Sequence, residues 1–384
     1  MKPKLGGMVR GIRTRFRLSD GPFSRIRPEE LSEDADETEV VINHYIRYRY
    51  TRILFLLGFV VLAVVLAGIA MGVGAYNLTI SEVYSIIFDR LTDWGPLETN
   101  AERVVWNSRL PRVLTAVFVG VGLAIAGAAM QSMMKNPLAD PYTTGISSGA
   151  AFGATLAITM GIQLGTGYEG RIINAFVFSL IPALVIVLLS KFRKPTPAMI
   201  ILVGISIMYI LNAFQSYMML YADPNATAAV YAWTIGSLSQ TNWDTLPFVA
   251  VIVIVCAFAI QFMTRTLNTM NSGDSYAKSL GINVDVVRIV ILLLISVIAA
   301  GVVSFTGIIG FIGLVAPHIA RMFVGSDNRV LIPAAAIMGA CFVLFSDILA
   351  RTIASTELPI GIITSMIGGP IFLLLIISQK KEVW

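Results

Sequence analysis

The sequence predicts an all-α polytopic membrane protein with ten transmembrane helices, and three observations support this fold class. Of its 384 residues, 56% are hydrophobic and only 13% are charged, and the mean hydropathy is +0.78. Apolar runs of about 20 residues, the length that crosses a bilayer, recur along the chain. Lys and Arg are concentrated between these runs, as is typical of membrane proteins. A soluble fold of this length could not bury so much apolar surface.

Residues 1–52 precede the first apolar run, and their acidic side chains are concentrated between Glu29 and Glu39. This composition predicts a solvated, mostly disordered cytosolic tail. A short helix is expected around Ile42–Tyr50, beside the membrane. Attraction to anionic lipid heads is the alternative role for the basic residues of the tail. The transmembrane domain is therefore predicted to cover residues 53–384.

The predicted spans are apolar runs, and one region of the chain allows two interpretations. The stretch 289–320 is too long for one crossing and is interrupted by Ser304, Gly307 and Gly310. We place two crossings there, the second of them short, near Ile308–Met322, and packed behind other helices rather than facing lipid. The predicted spans are 53–73, 112–134, 143–161, 171–190, 198–220, 245–263, two within 289–322, 330–350 and 359–378.

The positions of Lys and Arg decide between ten spans and nine. With ten spans, and leaving the tail aside, eleven basic residues lie on the inner side and six on the outer side. With nine spans the counts become eight and nine, against the positive-inside rule. We therefore predict ten spans with both termini in the cytoplasm, and with Arg109, Arg112 and Arg351 on the outer side.

A helical hairpin at residues 109–153 is central to this topology. Its two apolar runs are rich in small residues, which let helix backbones approach closely in lipid. Pro137 and Pro141 prevent either helix from continuing through the turn Asn136–Pro141. This rigid, polar elbow is expected at the cytoplasmic face, opposite Arg109 and Arg112.

Few residues of the sequence are suited to chemistry. No Walker A pattern is present, so the chain lacks that means of cradling ATP. Two cysteines and two histidines are too few to suggest a metal site, and no catalytic or metal-ligating residue is predicted. The basic residues follow the membrane pattern, so no nucleic-acid partner is expected. Asp347 lies four residues before Arg351 on one helix face, and a structural ion pair is favoured over the alternative, a proton relay.

The polar segment Ser272–Val284 is predicted to hold a short helix on the inner side. Ser272 or Asp274 can cap a helix that runs through Lys278, and Gly281 can supply the left-handed residue that ends it. A second short piece is expected to lead into Arg288. Two interpretations stay open from this pattern alone: a helix that inserts into a groove on a soluble partner, or an ordinary loop.

Several motifs, spread over residues 53–378, give the chain a resemblance to a known family. It resembles the permeases of the iron–siderophore, haem and cobalamin uptake class of ABC transporters, the FecCD-like or type II importers. The motifs are RLPR at Arg109–Arg112, NPLADP at Asn136–Pro141, GISSGAAFGA at Gly145–Ala154, AKSLGINV at Ala277–Val284, GIIGFIGLVAPHIAR at Gly307–Arg321 and ELPIGIITSMIGGPIF at Glu357–Phe372.

The resemblance implies the type II ABC importer permease fold and a set of partners. These are a second permease subunit, giving a homodimer in the cytoplasmic membrane, two cytosolic ATPase subunits and an external substrate-binding protein. Such a chain is a translocation subunit and not an enzyme. It binds no cofactor, because ATP and Mg²⁺ are acted on by the ATPase chain.

The resemblance also implies three groups of site residues. Arg109, Arg112 and Arg351 would meet acidic residues of the binding protein, and the helix or helices at about 272–285 would couple to the ATPase. The implied gate residues are Asn136 and Leu138, with Thr196 from the loop Arg193–Ala198. The implied coupling residues are Asp274, Ala277, Lys278, Ser279, Leu280 and Gly281.

ATP-driven alternating access is the transport mechanism expected for such a permease. The path is predicted to be lined by the small and apolar residues of 116–130, and Met130, Met133 and Met134 either line it or pack in the core. A ferric siderophore is the expected cargo, with cobalamin or haem as alternatives. The alternative from a different class of protein is an ion-coupled secondary carrier.

Overall fold

The computed structural model describes residues 37–378 except 75, 77, 93 and 94, and the described chain is built from helices. The first helix, α1, covers Glu37–Gly72. The helix expected around Ile42–Tyr50 is therefore not a separate element, because it continues into the first span. The tail prediction for residues 1–36 lies outside the described residues.

The membrane helices agree with the predicted spans. Among the described residues, six helices are long and apolar enough to cross a bilayer, and a seventh candidate is a pair bent by 53°. Three shorter apolar helices lie at the positions of the other three predicted spans. The helices after α1 are α2 Ile80–Thr92, α3 Asn100–Val104, α4 Leu110–Met134, α5 Ile146–Met160, α6 Gly167–Ser190, α7 Pro197–Tyr221, α8 Pro224–Ile235, α9 Leu246–Phe262, α10 Thr264–Asn271, α11 Asp274–Ser279, α12 Val284–Thr306, α13 Ile312–Val324, α14 Asn328–Thr352 and α15 Ile360–Ser378.

The stretch 289–320 divides as predicted, and the break has a local cause. Gly307 has φ +70° and Phe311 has φ +69°, so the backbone leaves helical geometry between α12 and α13. Helix α13 is short, and most of its residues are buried inside the chain. The prediction that this span packs behind other helices is confirmed.

Helix α4 lies at the centre of the bundle. It is continuous with α3 through a π-helical turn over Val105–Arg109, in which the Leu110 N–H donates to the Val105 carbonyl oxygen. Pro111 follows directly and has no N–H to donate, which favours such a local change of helix geometry. Most of the residues of α4 are buried.

Two glycines of α4 allow its close packing. A Cβ on Gly120 would collide with the backbone of Gly339 in α14, and one on Gly127 would collide with the backbone of Gly313 in α13. No larger residue fits at either position without moving a helix. The small residues of the hairpin therefore bring helices together as predicted.

The bundle has two ends with different basic residues. The arginine end holds Arg109, Arg112 and Arg351, and the elbow end holds Lys135 and the turn that follows it. The 25 residues of α4 separate the two ends, about 37 Å at 1.5 Å per residue.

Candidate coupling, gating and docking sites

The elbow between α4 and α5 forms as the prolines predict. Helix α4 ends at Lys135, whose φ of 51° is left-handed, and a short 3₁₀ turn covers Pro141–Thr144. Gly145, with φ 89°, then starts α5. The Asn136 side chain accepts a hydrogen bond from the Leu138 N–H at 2.9 Å, which holds the turn in shape.

Helix α11 is the short helix predicted in the coupling segment. Gly281, with φ +81°, follows it in the left-handed conformation that was predicted. The predicted cap is wrong: Gly273 occupies the N-cap position, and no side chain caps the helix. Asp274 is instead the first residue of α11, and its carboxylate is bound by residues far away in the sequence.

Asp274 connects α11 to two other segments. Its Oδ1 lies 2.7 Å from the Lys135 Nζ, and its Oδ2 lies 2.9 Å from Nη2 of Arg288. Arg288 is buried and also donates to the carbonyl oxygen of Pro195 at 3.1 Å. One carboxylate thus links α11 to the elbow and to the loop between α6 and α7.

The charge on Asp274 is favoured by these contacts. Partial burial would raise the pKa of Asp274, but the hydrogen bonds and charges of Lys135 and Arg288 outweigh it. They hold the pKa of this carboxyl below its usual value. Asp274 therefore remains ionised at physiological pH, and both ion pairs persist.

The predicted coupling residues divide into one anchor and an exposed surface. Ala277 is fully buried with Met270 and Val284. Tyr276 is 54% exposed and Leu280 is 58% exposed. Apolar side chains exposed on a short, polar-flanked helix suit contact with a partner protein. Lys278, Ser279 and Gly281 are exposed as well.

The second short piece expected after Ile282 is not a separate helix. Asn283 accepts a hydrogen bond from the Val286 N–H at 3.3 Å and caps α12 directly. The chain therefore passes from α11 through Gly281 into the long helix that carries Arg288. No further helix lies between α11 and α12 in this described part of the chain.

The predicted gate residues lie in two loops at the elbow end. Thr196 is exposed, and its Oγ1 accepts from the Met199 N–H at 3.2 Å, which caps α7. The elbow contacts α7 further along, where Gly204 packs against the backbone of Thr144. The described contacts join Asn136 and Thr196 only indirectly, through Lys135, Asp274, Arg288 and Pro195.

Asp140 is a buried acid in the elbow that the sequence reasoning missed. Desolvation raises its pKa to about 6, although a hydrogen bond from the Tyr142 N–H opposes the shift. The Tyr142 hydroxyl in turn donates to the carbonyl oxygen of Ile309 at 3.3 Å, in the break between α12 and α13. The one sign of Asp140 available in the sequence was an acidic residue inside the proline-containing turn, between Ala139 and Pro141.

The three arginines assigned to docking make contacts within the chain, and Arg109 and Arg112 are buried. Arg112 is 8% exposed, and its Nη2 and Nη1 lie 2.8 Å from Asp347 Oδ1 and 2.6 Å from Glu357 Oε1. Arg351 Nη2 lies 2.6 Å from Asp347 Oδ2. The predicted Asp347–Arg351 ion pair is confirmed. The contacts of Arg112 with Asp347 and Glu357 were not foreseen.

Arg109 and Arg351 also hold the end of α1. Arg109 donates to the carbonyl oxygens of Met71 and Gly72, at 2.9 and 3.2 Å, and to that of Tyr76. Arg351 donates to the Val73 carbonyl oxygen at 2.8 Å. Cations at the last carbonyls of a helix satisfy unpaired acceptors and favour its dipole. These arginines therefore fasten α1 to the bundle.

The prediction that residues 116–130 line the transport path is wrong for the isolated chain. Residues of 116–130 such as Ala116, Ala124 and Ala128 are fully buried inside the chain. Met130 and Met133 are fully buried and Met134 nearly so, which supports core packing. The physical reason is the close approach at Gly120 and Gly127, which leaves no space for a channel beside α4.

The described helices form an apolar bundle with the short helix α11 partly exposed at the elbow end. A model of the FecCD transport family matches residues 60–378. The chain belongs to this family, and it is the permease of an ABC importer, not its ATPase.

Individual relatives are consistent with membership of this family. A putative ABC transporter permease protein of Methanocaldococcus jannaschii is 39% identical, over 82% of this chain and 91% of its own. The hemin transport system permease protein HmuU of Yersinia pestis is 38% identical, over 85% of this chain and 96% of its own. The solved structure titled "An inward-facing conformation of a putative metal-chelate type ABC transporter" has 30% identity and a TM-score of 0.75, covering 84% of this chain and 99% of its own.

The relatives differ in the cargo for which they are named. A molybdate import permease of Haemophilus influenzae is 33% identical, over 86% of this chain and 97% of its own. A cobalamin import permease of Halobacterium salinarum is 37% identical, over 75% of this chain and 76% of its own. An Fe(3+)-citrate import permease of Bacillus subtilis is 33% identical, over 84% of this chain and 94% of its own. Membership of the family therefore does not identify the cargo.

Proposed function

We propose that this permease imports an iron chelate of the siderophore type, as a homodimer in the cytoplasmic membrane. Relatives named for hemin and Fe(3+)-citrate, and a structure of metal-chelate type, support an iron-containing cargo. Haem and cobalamin are the alternative cargoes within the same architecture. The elbow end faces the cytoplasm with both termini, and the arginine end faces outward, as the distribution of basic residues favours.

The observation that carries the mechanism is the link made by Asp274. The ATPase contacts the exposed face of α11 and the residue that ends it, so that Tyr276 and Leu280 lie on the contact surface. Movement of α11 displaces Asp274, and with it Lys135 at the elbow and Arg288 beside Pro195. Asn136 and Leu138 lie one and three residues after Lys135, Thr196 follows Pro195, and these three residues form the cytoplasmic gate. The bundle alternates between outward- and inward-open states as this gate closes and opens.

The external binding protein docks at the arginine end. Arg109, Arg112 and Arg351 carry three positive charges against the two negative charges of Asp347 and Glu357. The cluster therefore keeps a net positive charge that favours an acidic partner surface. Glu357, whose side chain is 41% exposed, is the carboxylate that an acidic partner residue would most readily replace.

Reconstituted uptake tests this proposal. The permease, its ATPase and its binding protein are placed in vesicles, and uptake of labelled ferric siderophores, haem, cobalamin and molybdate is compared with and without ATP. ATP-dependent uptake of a ferric chelate is the expected result. Preferred uptake of cobalamin or molybdate would refute the cargo, and uptake by the permease without its ATPase would indicate a secondary carrier.

A variant pair tests the role of α11. Leu280→Glu should reduce uptake per ATP hydrolysed, because it places a charge on the apolar contact surface of the ATPase. Leu164→Glu places the same charge on another exposed leucine, in the loop between α5 and α6 outside the predicted spans, where no contact with the ATPase is proposed. Full coupled transport by Leu280→Glu would argue that the segment is an ordinary loop.

A further inference from the structure

A cavity of about 440 Å³ lies at the arginine end of the chain. Its walls come from α5, α6, α8, the end of α12 and the segment before α15. This volume is within the range of small-molecule sites, about 300–1,000 Å³. Its lining includes Tyr168, Arg171, Trp233, Ser239, Gln240 and Glu357.

Charge is distributed unequally around this cavity. The Glu357 carboxylate is neutralised by Arg112, with 2.6 Å between Oε1 and Nη1. Arg171 is exposed and has neither an ion pair nor a hydrogen bond among the described residues. The cavity therefore presents one guanidinium group without a counter-charge. A planar guanidinium binds carboxylates with two parallel hydrogen bonds, which suits it to an anionic ligand.

The remaining walls combine aromatic and polar groups. Tyr168, Trp233 and Phe305 supply apolar ring surface, and Gln240 supplies an amide. Ser237 donates to Ser239 at 2.9 Å, so these two hydroxyls are already ordered. Mostly apolar walls with a few convergent polar groups are typical of ligand sites.

We propose that this cavity is a cargo subsite that binds an anionic oxygen of a metal chelate at Arg171. Tyr168 and Trp233 contact the apolar or aromatic part of the same chelate. The proposal rests on the proposed function, because it requires that the cargo enters at the arginine end. It adds a substrate class: chelates that carry carboxylate or deprotonated hydroxyl groups are bound in preference to chelates without free anionic groups.

Direct binding measurements test the subsite without the binding protein. The permease–ATPase complex in lipid nanodiscs is dialysed to equilibrium against ferric citrate, haemin or cyanocobalamin. Binding of ferric citrate or haemin is expected, and Arg171→Gln should weaken it about tenfold or more, since a hydrogen-bonded charge is lost. Arg171→Lys should retain part of the affinity, and cyanocobalamin should show no dependence on residue 171.

Arg103→Gln is the matched control. Arg103 is also a guanidinium group near the arginine end, but it donates to the Leu97 carbonyl oxygen and does not line the cavity. Equal loss of binding in Arg103→Gln and Arg171→Gln would overturn the subsite, because the effect would then be one of general surface charge.

Three further results would overturn the subsite, and they separate it from the proposed function. Unchanged chelate binding by Arg171→Gln would overturn the subsite. If the same variant also weakened docking of the binding protein, the role of Arg171 would be to contact an acidic residue of that partner. Absence of anionic chelate binding, in a complex that still imports iron chelates with ATP, would refute the subsite alone. Absence of both binding and ATP-driven iron uptake would refute the subsite and the proposed function together.

Discussion

Asp274 and Lys135, 139 residues apart in the sequence, form a 2.7 Å ion pair between α11 and the elbow. Asp274→Asn keeps the size of the side chain and removes its charge, so both Lys135 and Arg288 lose their ionic partner. We expect ATP hydrolysis to continue while the chelate imported per ATP falls about fivefold or more, the range of typical allosteric coupling energies. The measurement is the ratio of uptake to phosphate release in vesicles.

Two comparisons make the Asp274 prediction specific. Lys135→Gln should cause a similar loss, and the double variant should lose less than the product of the two, because both changes break one link. Arg329→Gln breaks an exposed ion pair with Asp327 at the same end and should transport normally. Independent, multiplicative losses would mean that Asp274 and Lys135 do not act as a pair.

Asp140→Asn is expected to stabilise the protein, and more at high pH than at low pH. The folded pKa of about 6 lies above the usual value, so folding favours the protonated acid. The resulting penalty is absent well below pH 4, grows as the pH rises, and reaches about 3 kcal/mol above pH 6. Thermal unfolding in detergent should therefore show a larger gain at about pH 8 than at about pH 5.

The control for the Asp140 prediction is Asp244→Asn. Asp244 is exposed, so the same change of charge occurs without burial. It should alter the unfolding temperature little at either pH. A gain for Asp140→Asn that is equal at both pH values would show that burial of the charge is not the cause.

Arg112→Ala is expected to destabilise the permease strongly. Asp347 is fully buried, accepts a hydrogen bond from Arg112 Nε and forms ion pairs with both Arg112 and Arg351. Removal of one partner of a buried ion pair costs about 3–5 kcal/mol, because the remaining charge is left undercompensated. Thermal unfolding of the purified protein measures the loss. Arg103→Ala, which removes a more exposed arginine, should cost much less, and equal losses would contradict the role given to Asp347.

Glu357→Gln is expected to strengthen docking of the external binding protein. The substitution removes the internal carboxylate that lies 2.6 Å from Arg112, so the guanidinium group is more available to an acidic partner. Affinity measured at low ionic strength should rise several-fold, and the gain should shrink as salt is added. Weaker or unchanged docking would argue that the arginine cluster only holds helices together.

The sequence predicted most of the helices but not the contacts between distant segments. Apolar run length and proline positions marked the spans and the elbow, and the spacing of Asp347 and Arg351 marked their pair, because these are local signals. Arg112 and Asp347 are 235 residues apart, and only the packing of α4 on α14 brings them together. The capping role expected for Asp274 failed for the same reason, since long-range ion pairs competed for its carboxylate.

The close backbone contacts at Gly120 and Gly127 have a mechanical consequence. At these points the backbone of α4 is seated against α14 and α13 with no side chain between them, so the helices cannot slide along one another without losing the fit. The motion left to them is tilting about this contact, which lies between the two ends of the bundle. We expect such tilting to spread one end of the bundle as it closes the other, which would prevent a continuous leak across the membrane.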